Sequence, residues 1–148
     1  MSRRLLKEIR DLVGVTEENP TLKLVSPPHS LAQIEVSISV PENPLYSGQT
    51  FVVSYTPGGD YPFHPPTVVF NGNTIPLHPH VYSNGHICLN ILYDGWTPVQ
   101  TLLSVVLSLQ SMLAGNSLAE RPPDDDLHCG RGSSDPQKTR WVFHDDNV

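Results

Sequence analysis

Apolar side chains recur along the first residues at helical spacing: Leu5, Leu6, Ile9, Leu12 and Val13 fall on one side, Ser2 stands where a cap belongs, and Gly14 follows the last of them. The spacing predicts an amphipathic helix over 3–13 that stops at Gly14. The period then shortens. Thr21 to Val25 is brief and β-rich, and Ile34, Val36, Ile38 and Val40 alternate with Glu35, Ser37 and Ser39, as in a strand with one buried face. After the turn-rich stretch Pro41 to Gly48, a third strand is expected over Thr50 to Tyr55. Pro57-Gly58-Gly59-Asp60 makes a turn, and Thr67 to Phe70 a fourth strand. The links are too short and too rich in Pro and Gly to hold crossover helices, so the four strands read as an antiparallel meander.

From Asn71 to Gly95 periodicity fails, yet Ile75, Val81, Ile87, Leu89, Ile91 and Leu92 indicate packing. A long, ordered but irregular segment of this kind is uncommon and often functional, so chemistry is sought there. Thr97-Pro98-Val99-Gln100 has the pattern of a capping box with Pro at the first helical position. A helix is expected from there to Ala114, closed by Gly115; it has no charged residue and apolar side chains on nearly every face, which places it at the centre of the domain. Residues 116–148 carry Asp124, Asp125 and Asp126, the breakers Pro122, Pro123, Gly130, Gly132 and Pro136, and one apolar cluster, Trp141, Val142 and Phe143. That tail is expected to be mostly irregular. The class is therefore α+β, a single domain over 1–148 with its core in 1–115 and an atypical tail in 116–148.

Composition narrows the function classes. At 148 residues and 38% hydrophobic, the chain can bury a proper core, and its 15 prolines argue against a helical bundle. The segment Leu102 to Leu113 is too short to cross a bilayer, so no membrane role is expected. Two cysteines make no disulfide scaffold and the charged opening lacks the apolar run of a signal peptide, which predicts a reducing compartment, cytoplasmic or nuclear. Nine Lys and Arg face 15 Asp and Glu; Arg3, Arg4, Lys7 and Arg10 cluster at the start, and none occurs from Leu24 through Glu120. A net charge of -6 with one short basic helix excludes nucleic acid as partner and leaves that helix as a solvated face or a docking surface for an acidic protein.

His78-Pro79-His80-Val81-Tyr82-Ser83-Asn84-Gly85-His86-Ile87-Cys88-Leu89 concentrates three imidazoles and a thiol. As a zinc site, His78, His80, His86 and Cys88 have suitable ligand types, but the spacing is not that of a finger or ribbon and Pro79 restricts convergence; no metal is expected. As a nucleophile, Cys88 can carry an acyl group as a thioester and pass it to an amine, reactivity depending on exposure and thiolate fraction. On residue type alone, a thiol between Ile87 and Leu89 also fits an inert core position.

Several motifs together bear on that choice. His78-Pro79 nine residues before Cys88, Asn84-Gly85-x-Ile87-Cys88-Leu89, Trp96-x-Pro98 before a helix, and Tyr61-Pro62-x-x-Pro65-Pro66 before the fourth strand together resemble the core of a ubiquitin-conjugating enzyme, in order and spacing over residues 1 to about 115. The tail motifs Arg121-Pro122-Pro123-Asp124 and Asp135-Pro136-x-Lys138-Thr139-x-Trp141-x-x-His144-Asp145-Asp146 resemble the W-type branch, which prefers protein N-termini.

The resemblance implies an N-terminal helix, a four-stranded antiparallel sheet, an extended active-site segment and a central helix, as the periodicities do. It implies that Cys88 accepts ubiquitin from an activating enzyme, in an ATP-dependent pathway without a bound cofactor, and delivers it to an amine with a RING-type ligase. Arg3, Arg4 and Lys7 on the first helix, with Phe63, Trp96 and Pro98, are the implied docking residues; core packing is the alternative for Phe63 and Trp96. The family usually has Asn where this chain has His80, an Asn associated with the oxyanion or its loop; loss of one oxyanion donor typically costs about 2.7 to 4 kcal/mol. The W-type pattern carries the same His. Asp94 and Asp124 are the candidate acids beside the thiol, a solvated acidic loop being the alternative, because the family's usual Asn-Pro-Asp-Asp-Pro run is missing. Two other functions stand beside this one: a catalytically silent ubiquitin-binding variant, and a conjugating enzyme for another ubiquitin-like modifier. Cys129 matches no motif.

Overall fold

The computed structural model describes residues 2–71, 73–131 and 135–138. Helix α1 (Ser2–Thr16) is followed by β1 (Leu22–Leu24), β2 (Ile34–Ile38), β3 (Phe51–Thr56) and β4 (Thr67–Asn71), then by a 3-10 turn at Asn90–Leu92 and helices α2 (Leu102–Ala114) and α3 (Asp125–Arg131). The strands form one antiparallel sheet in the order β1-β2-β3-β4, the expected meander. Its register sets the core. Leu22, Ile38 and Phe51 lie in one row, Leu24, Val36, Val53 and Phe70 in the next, and Ile34, Tyr55 and Val68 in a third. The alternation read from β2 thus continues across all four strands, and α1 packs against β1 and α2.

Two helix boundaries differ from expectation. α1 runs through Gly14 to Thr16, whose hydroxyl donates to the Val13 carbonyl at 2.9 Å. Gly14 has open space where a Cβ would stand and is helical, so a C-terminal glycine is a permissive signal and not an obligatory stop. Leu6, expected on the buried side, is 41% exposed, whereas Glu8 lies in the buried stripe with Leu5, Ile9 and Leu12.

α2 begins one turn later than Thr97. Its cap is Thr101, whose side chain accepts from the Ser104 amide while Ser104 Oγ accepts from the Thr101 amide. Residues 97–100 form a separate turn closed by the Gln100 amide on the Thr97 carbonyl at 3.0 Å. α1 decides the start: Arg4 donates to the carbonyls of Pro98 and Gln100 at 2.7 and 2.9 Å, and a Glu8 side-chain oxygen takes the Leu102 amide at 2.7 Å. α2 buries Leu102, Val105, Val106, Leu109, Met112 and Leu113, but Leu107 and Ser111 face outward, so this helix is covered on one side rather than all round. Gly115 closes it as expected, in ordinary right-handed conformation.

The segment after α2 is more regular than its composition suggests, with α3 and a second 3-10 turn at Pro136–Lys138. Gln137 Nε2 reaches the carbonyls of Pro66 and Leu92 at 2.9 and 3.1 Å, tying that turn to the core. The apolar cluster Trp141, Val142 and Phe143 lies outside the described residues, as does the tail motif from Thr139 onward.

Candidate active site

The irregular segment folds back on itself as a narrow loop. The Val81 amide donates to the His78 carbonyl at 3.0 Å, the Tyr82 amide to His86 at 2.9 Å, and the Gly85 amide closes a turn on Tyr82 at 2.9 Å. Gly85 has φ +92°, and a Cβ there would run into the Phe70 carbonyl of β4, so only glycine lets the turn lie this close to the sheet. The Phe70 amide in turn donates to the Gly85 carbonyl at 2.9 Å, which docks the turn on β4.

Cys88 sits on the returning arm. Its amide donates to the His80 carbonyl at 2.8 Å, and His80 Nδ1 donates to the Cys88 carbonyl at 3.1 Å, so backbone and imidazole of one residue hold the peptide units on both sides of the thiol-bearing carbon. Cys88 is in no disulfide and is 7% exposed, largely covered but not sealed. Tyr82 and Tyr93 lie close enough for a thiolate at Cys88 to oppose their ionisation; burial, the larger cause, also pushes both phenols above their ordinary value. Both therefore keep their hydroxyl protons and donate them, Tyr93 to the Ile87 carbonyl at 2.7 Å and Tyr82 to Asp124 at 2.8 Å.

His78 belongs to the scaffold. It is fully buried, its Nδ1 accepts the His80 amide at 2.9 Å, and its Nε2 donates to the Met112 carbonyl of α2 at 3.2 Å. Burial pushes its pKa down to about 4, against the opposing pull of the Met112 carbonyl. With both nitrogens committed, His78 is unavailable as a zinc ligand. Among the described residues no three His, Cys, Asp or Glu side chains converge as metal ligands.

The two candidate acids part company. Asp124 stands just before α3 and is brought to Tyr82, whereas Asp94 is exposed in the turn Tyr93–Gly95. The docking residues also separate. Phe63 is 77% exposed and Pro98 is exposed beside Val99, but Trp96 is buried, its ring nitrogen donating to the Pro62 carbonyl at 2.8 Å. Arg3 and Lys7 are exposed on α1, Lys7 paired with Asp11 at 3.2 Å. Arg4 also bonds Glu8 at 3.1 Å, and Tyr61 Oη donates to Glu8 at 2.6 Å, so Glu8 joins α1, the Tyr61–Pro66 loop and the start of α2.

Two residues that the sequence did not single out shape this site. Arg121 donates to the carbonyls of Pro76, Val81 and Ile75 at 2.6, 3.1 and 3.2 Å, bracing both ends of the stretch that holds His78 and His80. Glu8 could have been noticed as a polar residue inside an apolar stripe, three residues after Leu5 and four before Leu12. Arg121 had no such signal beyond its tail motif.

A family model described as ubiquitin-conjugating enzyme matches residues 4–131. The chain is 44% identical to ubiquitin-conjugating enzyme E2 W of Caenorhabditis elegans over 147 residues, covering 99% of this chain and 97% of the relative. It is 40% identical to the probable E2 W of Dictyostelium discoideum and 38% identical to the probable E2 W-A of Danio rerio, each with 99% of this chain and 97% of the relative covered. Among solved structures, it is similar to the ubiquitin-conjugating enzyme E2 UbcA1 from Agrocybe aegerita, with a TM-score of 0.80 and 36% identity over 90% of this chain and 96% of that one.

Proposed function

Because the chain belongs to the ubiquitin-conjugating enzyme family, a transferase family with a cysteine thioester mechanism, we propose that Cys88 is the thiol that carries ubiquitin and that the preferred acceptor is a substrate's N-terminal α-amino group. Ubiquitin, an activating enzyme and a ligase are the family's partners. The observation that carries the assignment to Cys88 is its reciprocal bracing by His80 in a loop flanked by Tyr82 and Tyr93, while Cys129, the other cysteine, stands exposed on α3.

In loading, the Cys88 sulfur attacks the thioester carbonyl at the end of ubiquitin and the activating enzyme's thiolate leaves. In discharge, the acceptor nitrogen attacks the new thioester, the C–S bond breaks and the nitrogen gives up a proton. His80 holds the carbonyl of Cys88 and so fixes the loop from which the sulfur projects, and Tyr82, bonded to Asp124, lies near enough to feel the charge of the Cys88 thiolate. A lysine with pKa about 10.4 is about 0.1% neutral near pH 7.4, whereas an α-amino group with pKa about 7.7 to 8.0 is about 20 to 30% neutral. An acceptor of the second kind arrives largely ready, which lightens the demand on nearby carboxylates such as Asp94. Arg3, Lys7, Phe63 and Pro98 present the docking surface, with Arg4 and Trp96 holding it in shape. A thiol nucleophile needs reducing surroundings, which supports reading the protein as cytoplasmic or nuclear.

The test is charging with ubiquitin, activating enzyme and ATP. Cys88→Ala abolishes the adduct that reducing agent cleaves, Cys88→Ser gives a reductant-stable oxyester, and Cys129→Ala charges normally; a persistent thioester in Cys88→Ala refutes the assignment. Discharge of the charged protein onto a peptide whose single amine is its α-amino group should outpace discharge onto free lysine, and rapid discharge to lysine removes the N-terminal preference.

A further inference from the structure

α3 has seven residues, too few to hold helical form unaided, so its place is decided by what it docks on. Its contacts gather on the turn that leads into Cys88. Asp124, just before the helix, accepts from Tyr82 Oη at 2.8 Å, and Asp125 accepts the Ser83 amide at 2.8 Å. Cys129 Sγ lies 3.3 Å from Ser83 Oγ. The His128 ring is stacked on Tyr82, with centroids 3.9 Å apart and planes at 27°, and its Nε2 lies 2.8 Å from His86 Nδ1. Both imidazoles are buried.

We propose that His128 and His86 are a positioning pair: their shared hydrogen bond seats α3 on the 82–86 turn, keeps Asp124 on Tyr82 beside the thiol, and gives way on acidification. A bond between two imidazoles requires one ring to donate and the other to offer a lone pair. The neutral pair and the singly protonated pair both satisfy this. When both rings are cations the lone pair is gone and two like charges face each other at 2.8 Å.

Among the described residues, the ionisable groups around the pair come from two sides. The active segment contributes Tyr82, with the Cys88 thiol beyond it; the α3 side contributes Asp124, Asp125 and Cys129, with Arg121 acting on Asp125. Burial lowers the His128 pKa from its ordinary value, and the pull of Asp124 and Asp125 in the other direction does not restore it. Asp125 itself stays ionised: burial raises its pKa, but hydrogen bonds from Ser83 and Cys129 together with the Arg121 charge outweigh it and hold the carboxyl below the ordinary value.

The sign follows. With α3 released and the rings solvated, a proton is taken up near pH 6.5; with α3 seated, His128 takes it only at lower pH. The seat is thus firm above about pH 6.5 and weakens as pH falls through the lower, seated value, first because burial disfavours the His128 cation and then because a second proton on the pair removes the lone pair that the bond needs.

The consequence for transfer rests on the reading of Cys88, but the seat can be measured without transfer. In NMR spectra of the full chain from pH 7.5 to pH 5, the Ser83 amide should shift with a single midpoint below 6.5 that coincides with titration of the His128 ring. His128→Phe keeps a ring on Tyr82 but accepts no proton, and should remove the Ser83 transition; His86→Phe should remove it too, so that poor folding of one variant leaves the other. On ubiquitin-charged protein, single-turnover discharge to a peptide α-amine, corrected for the neutral amine fraction, should fall several-fold between pH 7.5 and pH 6 in the wild type and stay level in His128→Phe. A Ser83 transition that survives in both variants, or a His128 that titrates while Ser83 stays still, overturns the proposal. Failure of the Cys88→Ala test would overturn the nucleophile and leave the NMR result standing.

Discussion

His78 shows how one side chain can be read for chemistry and turn out to be structural. Three imidazoles near a thiol suggest ligands, but this one is the pin between the active segment and α2, and it performs that task only when neutral, because its Nδ1 must accept. Its pKa of about 4 when folded, against about 6.5 unfolded, means that the unfolded chain binds the extra proton first as pH drops. Stability from this residue is complete above about pH 6.5 and is lost towards pH 4; between pH 7 and pH 5 the loss is about 2 kcal/mol. Urea midpoints over that range should fall steeply for the wild type and less for His78→Gln, which can still accept and donate; equal slopes contradict the account. Spacing could not have separated His78 from His80, since the distinction lies in which nitrogen meets Met112, a residue 34 positions away.

The strands were the most legible elements, because a period of two against a packed face leaves little freedom of register. Helix ends were less so. Thr97-Pro98-x-Gln100 and Thr101-x-x-Ser104 both satisfy local capping rules, and the choice falls to Arg4 and Glu8 on α1, which occupy the carbonyls and the amide at that junction. Thr101→Ala should therefore cost about 1 kcal/mol in chemical denaturation, and Thr97→Ala far less; the reverse order would put the cap back at Thr97. α3 was hidden for a related reason. Its breakers and acids look irregular, and its order comes from the turn it rests on, which no local pattern announces.

For the whole molecule, the sequence motifs pointed to the loop of Cys88, and they belong to a fold whose meander and helices periodicity had already outlined. The bracing of that loop by Arg121, from beyond α2, was not legible, since it depends on long-range carbonyl geometry. Charge is arranged on the same large scale, with Arg3, Lys7 and Arg10 exposed on α1, Arg4 half-buried beside them, and no other Lys or Arg until Lys23. An acidic surface on the activating enzyme should feel that cluster, so charging should slow as salt rises. Arg3→Glu with Lys7→Glu should slow charging several-fold and flatten its salt dependence; an unchanged salt profile would move the docking site elsewhere.

The two sulfurs are unequal in a way that matters to anyone designing a covalent probe. Cys88 shows only a sliver of itself to solvent, while Cys129 stands in the open on α3, against Ser83. Size alone will steer bulky electrophiles to Cys129, so a reagent selective for Cys88 must be slender enough to reach a largely covered sulfur.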